Sequence, residues 1–260
     1  MKQIKIYRPL LLMLPLVVVF VACKKDYDAR FAQYNTSLDN TAKVQVYNAV
    51  IGSNRSYLFV DDKPVNGATI AYGSSFPSGA AGFAVQAGQR VFLFKDTSVN
   101  ATLQTFLTVG QNINAKGNYT FFAYDTVNAA KLKFVDTDIV IPEDTAARIR
   151  LASFIFSKTA IPNLDIYSTR KGANIYTNVA RETITEFMPY PSSLTDTLIV
   201  RTTGSTTNNL INRTTAGRIP VQLVINPIRK RSYTIVVRGS FYTDTSSQTN
   251  LRTITSFTNN

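Results

Sequence analysis

Few carboxylates in this chain are spaced for catalysis. Glu182 and Glu186 lie four residues apart, and a pair of carboxylates is the acid–base machinery of glycoside hydrolysis. The β-branched run Thr183–Thr185 between them favours a strand, in which residues i and i+4 share a face about 13 Å apart. That distance exceeds the carboxylate separation of either glycosidase geometry. We therefore expect a surface strand here and no catalytic pair.

Metal and cofactor chemistry is equally poorly represented. Asp136 and Asp138 alternate on one predicted strand face, with Asp125 upstream, and carboxylate oxygens are Ca²⁺ ligands. An EF-hand-like loop is missing, so we expect solvated carboxylates at a strand end. The chain contains no histidine, which removes the Ser-His-Asp and Cys-His arrangements. It also lacks phosphate-loop and dinucleotide motifs. The sequence predicts no enzyme, no metal and no cofactor.

Arginine is the residue type most suited to ligand binding. The formal charge is +12, and guanidinium groups bind sulfate, phosphate and carboxylate bidentately. The candidate anion-binding patch consists of Arg213, Arg218, Arg229, Lys230, Arg231 and Arg238. Two interpretations stay open, capture of an anionic ligand and a solvated edge that resists aggregation. Without an RNP-like motif, zinc finger or basic helix, we expect no nucleic-acid partner.

The N-terminus predicts export and lipidation. Lys2, Lys5 and Arg8 precede an apolar run that is too short to span a bilayer, followed by Ala22 and Cys23. Ala22 before the only cysteine resembles the lipobox cut by bacterial lipoprotein signal peptidase. Residues 1–22 are the predicted signal peptide, and acylation of Cys23 would supply the lipid anchor.

The remainder predicts an all-β chain. Residues 23–42 are polar and predict a flexible tether. From Lys43 onward short alternating segments are separated by Gly, Pro and Asn, with no amphipathic helix between them. We predict two tandem immunoglobulin-like β-sandwich domains after the signal peptide and tether, at residues 43–141 and 146–260.

Four segments of the first domain recur in the second, in the same order. Ala42–Val46 matches Ala147–Leu151, and Asn118–Ala123 matches Ser232–Val237. The other matches are Ser56–Phe59 with Leu164–Tyr167, and Val91–Phe94 with Thr197–Val200.

The Ala-basic strand start, the aromatic Tyr57–Lys63 segment and the late Tyr-Thr strand resemble the bacterial family known as domain of unknown function 4397, in two tandem copies. The second copy departs at Ser168–Arg170, where the first has Val-Asp-Asp. The resemblance implies extracellular sandwiches and supplies no catalytic residues. Thr126, Thr145 and Thr197 each follow an aspartate and precede an apolar residue, which resembles the O-glycosylation acceptor of Bacteroidota.

These features predict a non-enzymatic outer-membrane lipoprotein of the cell envelope, held at the membrane by Cys23. We expect it to present its domains for adhesion or binding, with an anionic glycan or an envelope protein as partner. The alternatives are an accessory subunit of an outer-membrane complex and, more remotely, a hydrolase.

Overall fold

The structure is a computed structural model that describes residues 38–79, 82–98, 102–206, 209–215, 217–246 and 248–260. The predicted signal peptide, Cys23 and the predicted tether up to residue 37 lie outside these residues. Residues Asp39–Asn260 form one compact unit. Its first strand begins at Thr41, so the last two residues of the predicted tether belong to that strand.

Every regular element in the described part of the chain is a strand. The first sandwich contains β1 (Thr41–Ile51), β2 (Ser56–Val60), β3 (Lys63–Pro64), β4 (Ser75–Phe76), β5 (Phe83–Gln86), β6 (Gly88–Asp96), β7 (Gln104–Ile113), β8 (Asn118–Thr126) and β9 (Lys131–Asp136). The second sandwich contains β10 (Ala147–Phe156), β11 (Leu164–Ser168), β12 (Ala173–Val179), β13 (Thr183–Ile184), β14 (Met188–Tyr190), β15 (Asp196–Thr202), β16 (Ile211–Thr214), β17 (Gly217–Pro220), β18 (Gln222–Ile225), β19 (Ser232–Ser240) and β20 (Thr253–Thr258).

The two sandwiches have the same topology. In the first, one sheet has the order β4-β1-β8-β9, with β5 also paired to β1, and the other has the order β3-β2-β6-β7. In the second, the corresponding orders are β13-β10-β19-β20, with β14 paired to β10, and β12-β11-β15-β18. Among the described strands, only the hairpin β16–β17 has no counterpart. The predicted all-β chain of two tandem β-sandwiches is confirmed.

Alternation explains why these segments form sandwiches, because strand residues two apart share a face. In β6, Phe92 and Phe94 are buried while their neighbours are more exposed. Each sandwich has its own apolar core of this kind, one around Phe92 and Phe121 and the other around Ile149 and Leu198. β1 and β10 lie centrally in their sheets and are buried along most of their length.

All four matched pairs of segments fall on topologically equivalent strands, β1 and β10, β2 and β11, β6 and β15, and β8 and β19. The registers agree as well. Lys43 lies opposite Asn118 in the parallel β1–β8 pair, and the equivalent Arg148 lies opposite Ser232 in the parallel β10–β19 pair. These registers define which residues of the two sandwiches are equivalent.

A third apolar cluster, the junction core, joins the two sandwiches. It comprises Tyr47, Ala49, Phe122, Tyr124, Ala152, Phe154, Val236 and Phe257. At equivalent positions a large side chain in one sandwich corresponds to a small one in the other, since Tyr47 corresponds to Ala152, and Phe154 to Ala49. This complementarity lets the sheets pack closely, and Phe154 lies 5.0 Å from Phe122 and 4.9 Å from Tyr124 between ring centroids. The two sandwiches therefore form one packed body.

Candidate functional site: a polar cavity between the sandwiches

A cavity of about 280 Å³ opens beside the junction core, and we call it the junction cavity. Both sandwiches and the segment between them contribute to its wall. Its lining residues are Lys43, Gln45, Gly82, Asn118, Tyr119, Thr120, Thr137, Ile139, Ile141, Asn259 and Asn260.

The first half of the cavity floor is a hydrogen-bond chain that starts at Gln45. Gln45 is 4% exposed, and its Oε1 accepts from Asn259 Nδ2 at 3.1 Å. Thr234 Oγ1 donates to Asn259 Oδ1 at 2.7 Å. Because buried polar groups are costly unless they are paired, this chain fixes the positions of these side chains.

The second half of the floor repeats this pattern, but here the central strand residue comes from the second sandwich and its partners from the first. Thr120 and Thr137 share a 2.7 Å hydrogen bond. The guanidinium of Arg150 donates to both of these hydroxyls, at 3.1 and 3.2 Å, and to Thr234 Oγ1 at 2.8 Å. By register Arg150 is equivalent to Gln45, and Thr137 to Asn259. The contacts are thus reciprocal, as in a two-fold interface between identical subunits.

Arg150 is a buried cation with neutral partners. It is 2% exposed, and no carboxylate in the described part of the chain lies within ion-pair distance of it. Burial lowers the pKa of its guanidinium to about 10, and the charge of Glu186 partly offsets this effect. The ring of Phe187 lies 4.6 Å from the guanidinium carbon. The cavity floor is consequently electropositive.

Two side chains of the cavity wall have unused hydrogen-bonding capacity. Lys43 is exposed and Asn118 is half-buried, and they lie opposite each other on adjacent strands. Neither Lys43 Nζ nor the Asn118 amide has a hydrogen-bond or ion-pair partner among the residues that the structure describes. An ammonium and a primary amide can bind oxygen atoms of a ligand.

One substitution between the two sandwiches accounts for the open space. Val44 lies opposite Phe83 and Ile149 lies opposite Met188, so Gly82 occupies the position equivalent to Phe187. A Cβ at Gly82 would lie 2.8 Å from the backbone oxygen of Val44. The backbones at Gly82 and Val44 therefore lie too close together for a side chain at position 82. The space that Phe187 fills in the second sandwich stays free in the first.

The six residues of the predicted anion-binding patch do not form one surface. Arg229–Arg231 precede β19, whereas Arg213 donates its backbone N–H to Asp244, which follows β19. The nine residues of β19 separate these ends by about 26 Å. Arg213 also forms an ion pair with Asp244 at 2.9 Å, and Arg218 lies opposite Arg213 on the exposed hairpin.

Arg238 of that predicted patch is part of the junction between the sandwiches. Its Nε donates to Tyr47 Oη at 3.2 Å, and its guanidinium lies 4.3 Å above the ring of Tyr72. Burial raises the pKa of Tyr47, and the charge of Arg238 partly offsets this rise. Gly73, with φ 82°, leaves the space that the guanidinium occupies. An anion-binding role for any of the six residues stays a prediction.

The carboxylates considered for chemistry are dispersed. Asp125 pairs with Lys131 at 3.0 Å, and Asp138 pairs with Arg148 at 3.6 Å. No group of three potential metal-ligating side chains occurs in the described ranges. Glu182 has a positive φ of 61°, and only Thr183–Ile184 after it form a strand. Its carboxylate accepts from Tyr124 Oη at 3.3 Å, so it also lies at the junction.

The three predicted glycosylation sites differ in accessibility. Thr145 is exposed in the segment between the sandwiches, whereas Thr126 at the end of β8 and Thr197 in β15 are half-buried. Thr145 is consequently the most accessible of the three. Modification at any of them stays a prediction.

Sequence reasoning missed the residues of the junction cavity. Lys43 and Asn118 belong to matched segments, but their types occur on any strand surface. The informative signal was Gln45 and its equivalent Arg150, which are polar residues on the junction-facing side of two buried strands. A buried polar residue repeated at one position of a duplication predicts a shared polar network.

Comparisons with known proteins add little to this geometry. No protein-family model and no curated protein matches the chain. Among solved structures, a family 26 carbohydrate-binding module from Eubacterium rectale, in complex with maltoheptaose, is similar at 9% identity and a TM-score of 0.24. The similarity covers 83% of this chain and 96% of that one. No helix in the described residues is long and apolar enough to cross a membrane.

Proposed function

We propose that this protein is a non-enzymatic, lipid-anchored protein of the bacterial cell envelope that binds a small polar ligand in its junction cavity. The observation that carries the binding proposal is the pair of unpartnered side chains, Lys43 and Asn118, above a floor of buried polar groups. Fixed polar groups in a concave site are the usual basis of specific ligand recognition. The sequence around Ala22 and Cys23 supports the anchor.

The binding proposal is tested by filling the cavity. Asn118→Tyr would place a ring where the ligand is expected, and Asn112→Tyr on the exposed face of β7 is the matched control. Acidic, neutral and basic monosaccharides and amino acids are titrated by NMR against each variant. We expect at least one probe to bind the natural protein and the control but not Asn118→Tyr. Binding that is identical in all three proteins would contradict the cavity as the site.

The anchor is tested separately on the full chain expressed in its host. We expect the mass of the membrane-extracted protein to include a diacylglyceryl group on Cys23, and Cys23→Ser to move the protein out of the membrane fraction. An unmodified Cys23 on membrane-bound protein would contradict lipid anchoring, without affecting the cavity.

A second candidate function is that of an accessory subunit in an outer-membrane complex. β7 is an edge strand of ten residues without a single charge, and it pairs only with β6 among the described strands. Uncharged edges of this length are templates for pairing with a strand of another chain. The equivalent β18 has four residues. Light scattering of the extracted protein, with Thr108→Lys on β7 as the variant, distinguishes a complex from a monomer.

A further inference from the structure

Lys43, the cation in the wall of the junction cavity, has an equivalent residue that already has an ion-pair partner. Lys43 in β1 corresponds to Arg148 in β10, and each directly follows the matched Ala. Lys43 and Arg148 therefore occupy equivalent positions on the two sides of the junction. What binds Arg148 indicates what Lys43 would bind.

Arg148 is bound by the chain segment between the sandwiches. Its guanidinium donates to the carbonyl oxygens of Asp138 and Val140, both at 3.3 Å. It also lies 3.6 Å from the Asp138 carboxylate and 5.0 Å from the centre of the Phe187 ring. The occupant of Arg148 is thus a carboxylate accompanied by further oxygen acceptors and an apolar surface.

The first sandwich presents the same cation without that occupant. Thr137 and Asn259 donate their backbone N–H groups to Asn118 and Ser232, so Asp138 corresponds to Asn260. A neutral side-chain amide, bonded to the Ser232 N–H and the Lys230 carbonyl oxygen, thus replaces the carboxylate, and Gly82 replaces the Phe187 ring. The space that remains is the junction cavity, with Lys43 at its wall.

The electrostatic balance of the site has the same sign. Arg150 contributes a second, buried positive charge, and it hydrogen-bonds the Thr120 and Thr137 hydroxyls that line the cavity. Asp138, which lies between the cavity-lining residues Thr137 and Ile139 in the chain, already pairs with Arg148 at 3.6 Å. An anion in the cavity would restore the balance, because charges inside a low-dielectric site interact strongly.

The cavity wall is also suited to a hydroxylated ligand. The Asn118 amide, which has no partner among the described residues, can exchange hydrogen bonds with hydroxyl groups. Ile139 and Ile141 give an apolar wall. A volume of about 280 Å³ is just below the range for drug-sized ligands, about 300–1,000 Å³, so the cavity suits a ligand no larger than one sugar ring.

Building on the function proposed above, we infer that the ligand is a carboxylate-bearing sugar unit, such as a uronic acid. Its carboxylate pairs with Lys43 as the Asp138 carboxylate pairs with Arg148. Its hydroxyls bind the Asn118 amide, and its C–H face lies on Ile139 and Ile141.

The test is an NMR titration with D-glucuronate, D-glucose and acetate against the natural protein and two variants. Lys43→Met removes the cavity cation and keeps the side-chain length. Lys95→Met, on the outward face of β6, is the matched control, because Lys95 contacts Phe59 far from the cavity wall. Thermal unfolding establishes that both variants are folded.

We expect glucuronate to bind the natural protein at least about tenfold more tightly than glucose or acetate, which corresponds to about 1.4 kcal/mol. Lys43→Met should lose that preference, and Lys95→Met should retain it. Equal binding of glucose and glucuronate would overturn the inference while leaving the cavity as a ligand site. Equal binding of acetate would reduce the ligand to a bare carboxylate and overturn the sugar. Binding of an amino acid or basic probe alone would also overturn it, and binding of no probe would overturn the proposed function itself.

Discussion

The two sandwiches share their topology but use it differently where they meet. The first contributes Tyr47 and Phe122 to the junction core, where the second has Ala152 and Val236. The second contributes Phe154 in return. Because each large side chain stands where the other sandwich has a small one, the two faces pack closely at these positions. The differences between the copies therefore convert two similar domains into one body.

The largest effect is expected when a side chain that packs across the junction is removed. Phe154 is 3% exposed and packs on Phe122 and Tyr124 across the junction. We expect Phe154→Ala to lower the free energy of unfolding by about 3–5 kcal/mol, since it leaves a cavity among aromatic rings. Urea unfolding monitored by tyrosine fluorescence and circular dichroism measures this change.

The control for the junction is Tyr242→Ala, which shortens a ring that is 65% exposed. We expect it to change stability by less than about 1 kcal/mol. Both probes should report a single transition in the natural protein. Two separate transitions, with only one displaced by Phe154→Ala, would mean that the sandwiches fold independently and that the junction core couples nothing.

A second difference lies in how each sandwich ties down its loops with a buried carboxylate. In the first, Asp96 at the end of β6 accepts from Ser53 and Ser56. In the second, Asp196 at the start of β15 accepts from Ser168 at 2.5 Å and from the Arg170 N–H at 2.9 Å. Burial tends to raise the pKa of both carboxyls, but these hydrogen bonds outweigh it and the pKa of each is lowered.

The lowered pKa fixes the sign of the pH dependence. A carboxyl with a folded pKa below its unfolded value of about 3.9 stabilises the protein above that pH and loses its contribution as the pH falls through the folded pKa. We expect stability to decline below about pH 4, and Asp196→Asn to flatten that decline while costing about 1.5–3 kcal/mol at pH 7. Denaturant unfolding between pH 2 and pH 7, with Asp96→Asn in parallel, checks this. An unchanged acid limb in both variants would refute it.

A substitution at Phe187 tests why the cavity is present beside the first sandwich and not beside the second. Its ring covers Arg148 and Arg150, where the first sandwich has Gly82. We expect Phe187→Ala to lower stability by about 2 kcal/mol, because the ring is only half-buried, and to create a second cavity beside Arg148. A crystal structure of the variant would show it. If the β13–β14 region instead moves into the space, the absence of a ring at Gly82 does not explain the junction cavity.

Much of this architecture was accessible from the sequence, since strand alternation is a local property. The four matched segments, Ala42–Val46 among them, fall on equivalent strands because the duplication preserves both the apolar positions and the turns around them. The junction was not accessible. The sequence pattern predicts separate domains, because no local sequence feature indicates which sheet faces pack together. The sequence shows that Tyr47 and Ala152 stand at matched positions. Only the structure shows that both face the junction, where the large side chain packs beside the small one.

The same limit applies to the cavity and to the arginines. A cluster along the sequence, Arg229–Arg231, was grouped with Arg213 and Arg238, although a strand of nine residues separates the ends. Sequence proximity and charge cannot resolve such a separation. Conversely, the cavity joins Lys43, Asn118 and Asn259 from three strand ends far apart in the chain.

The smallest expected effect concerns the outward sheet faces, where the two sandwiches repeat one contact. Lys95 Nζ lies 4.3 Å above the Phe59 ring, and at the equivalent position Arg201 lies 3.6 Å above the Tyr167 ring. Exposed cation–π contacts contribute about 0.5–1 kcal/mol. We expect Arg201→Ala to cost about 1 kcal/mol and Lys95→Ala about half as much, because a planar guanidinium stacks on the ring and also donates to Asn209.

A lysine in place of Arg201 separates the two contributions. Arg201→Lys keeps the charge over Tyr167 but loses the planar stack and the bond from Arg201 Nε to Asn209. We expect its stability to fall between those of the natural protein and Arg201→Ala, and thermal unfolding at low and high salt measures all of these variants. If Arg201→Lys equals the natural protein, the charge alone carries the contact, and the two sandwiches would be equivalent on their outward faces although they differ at their junction.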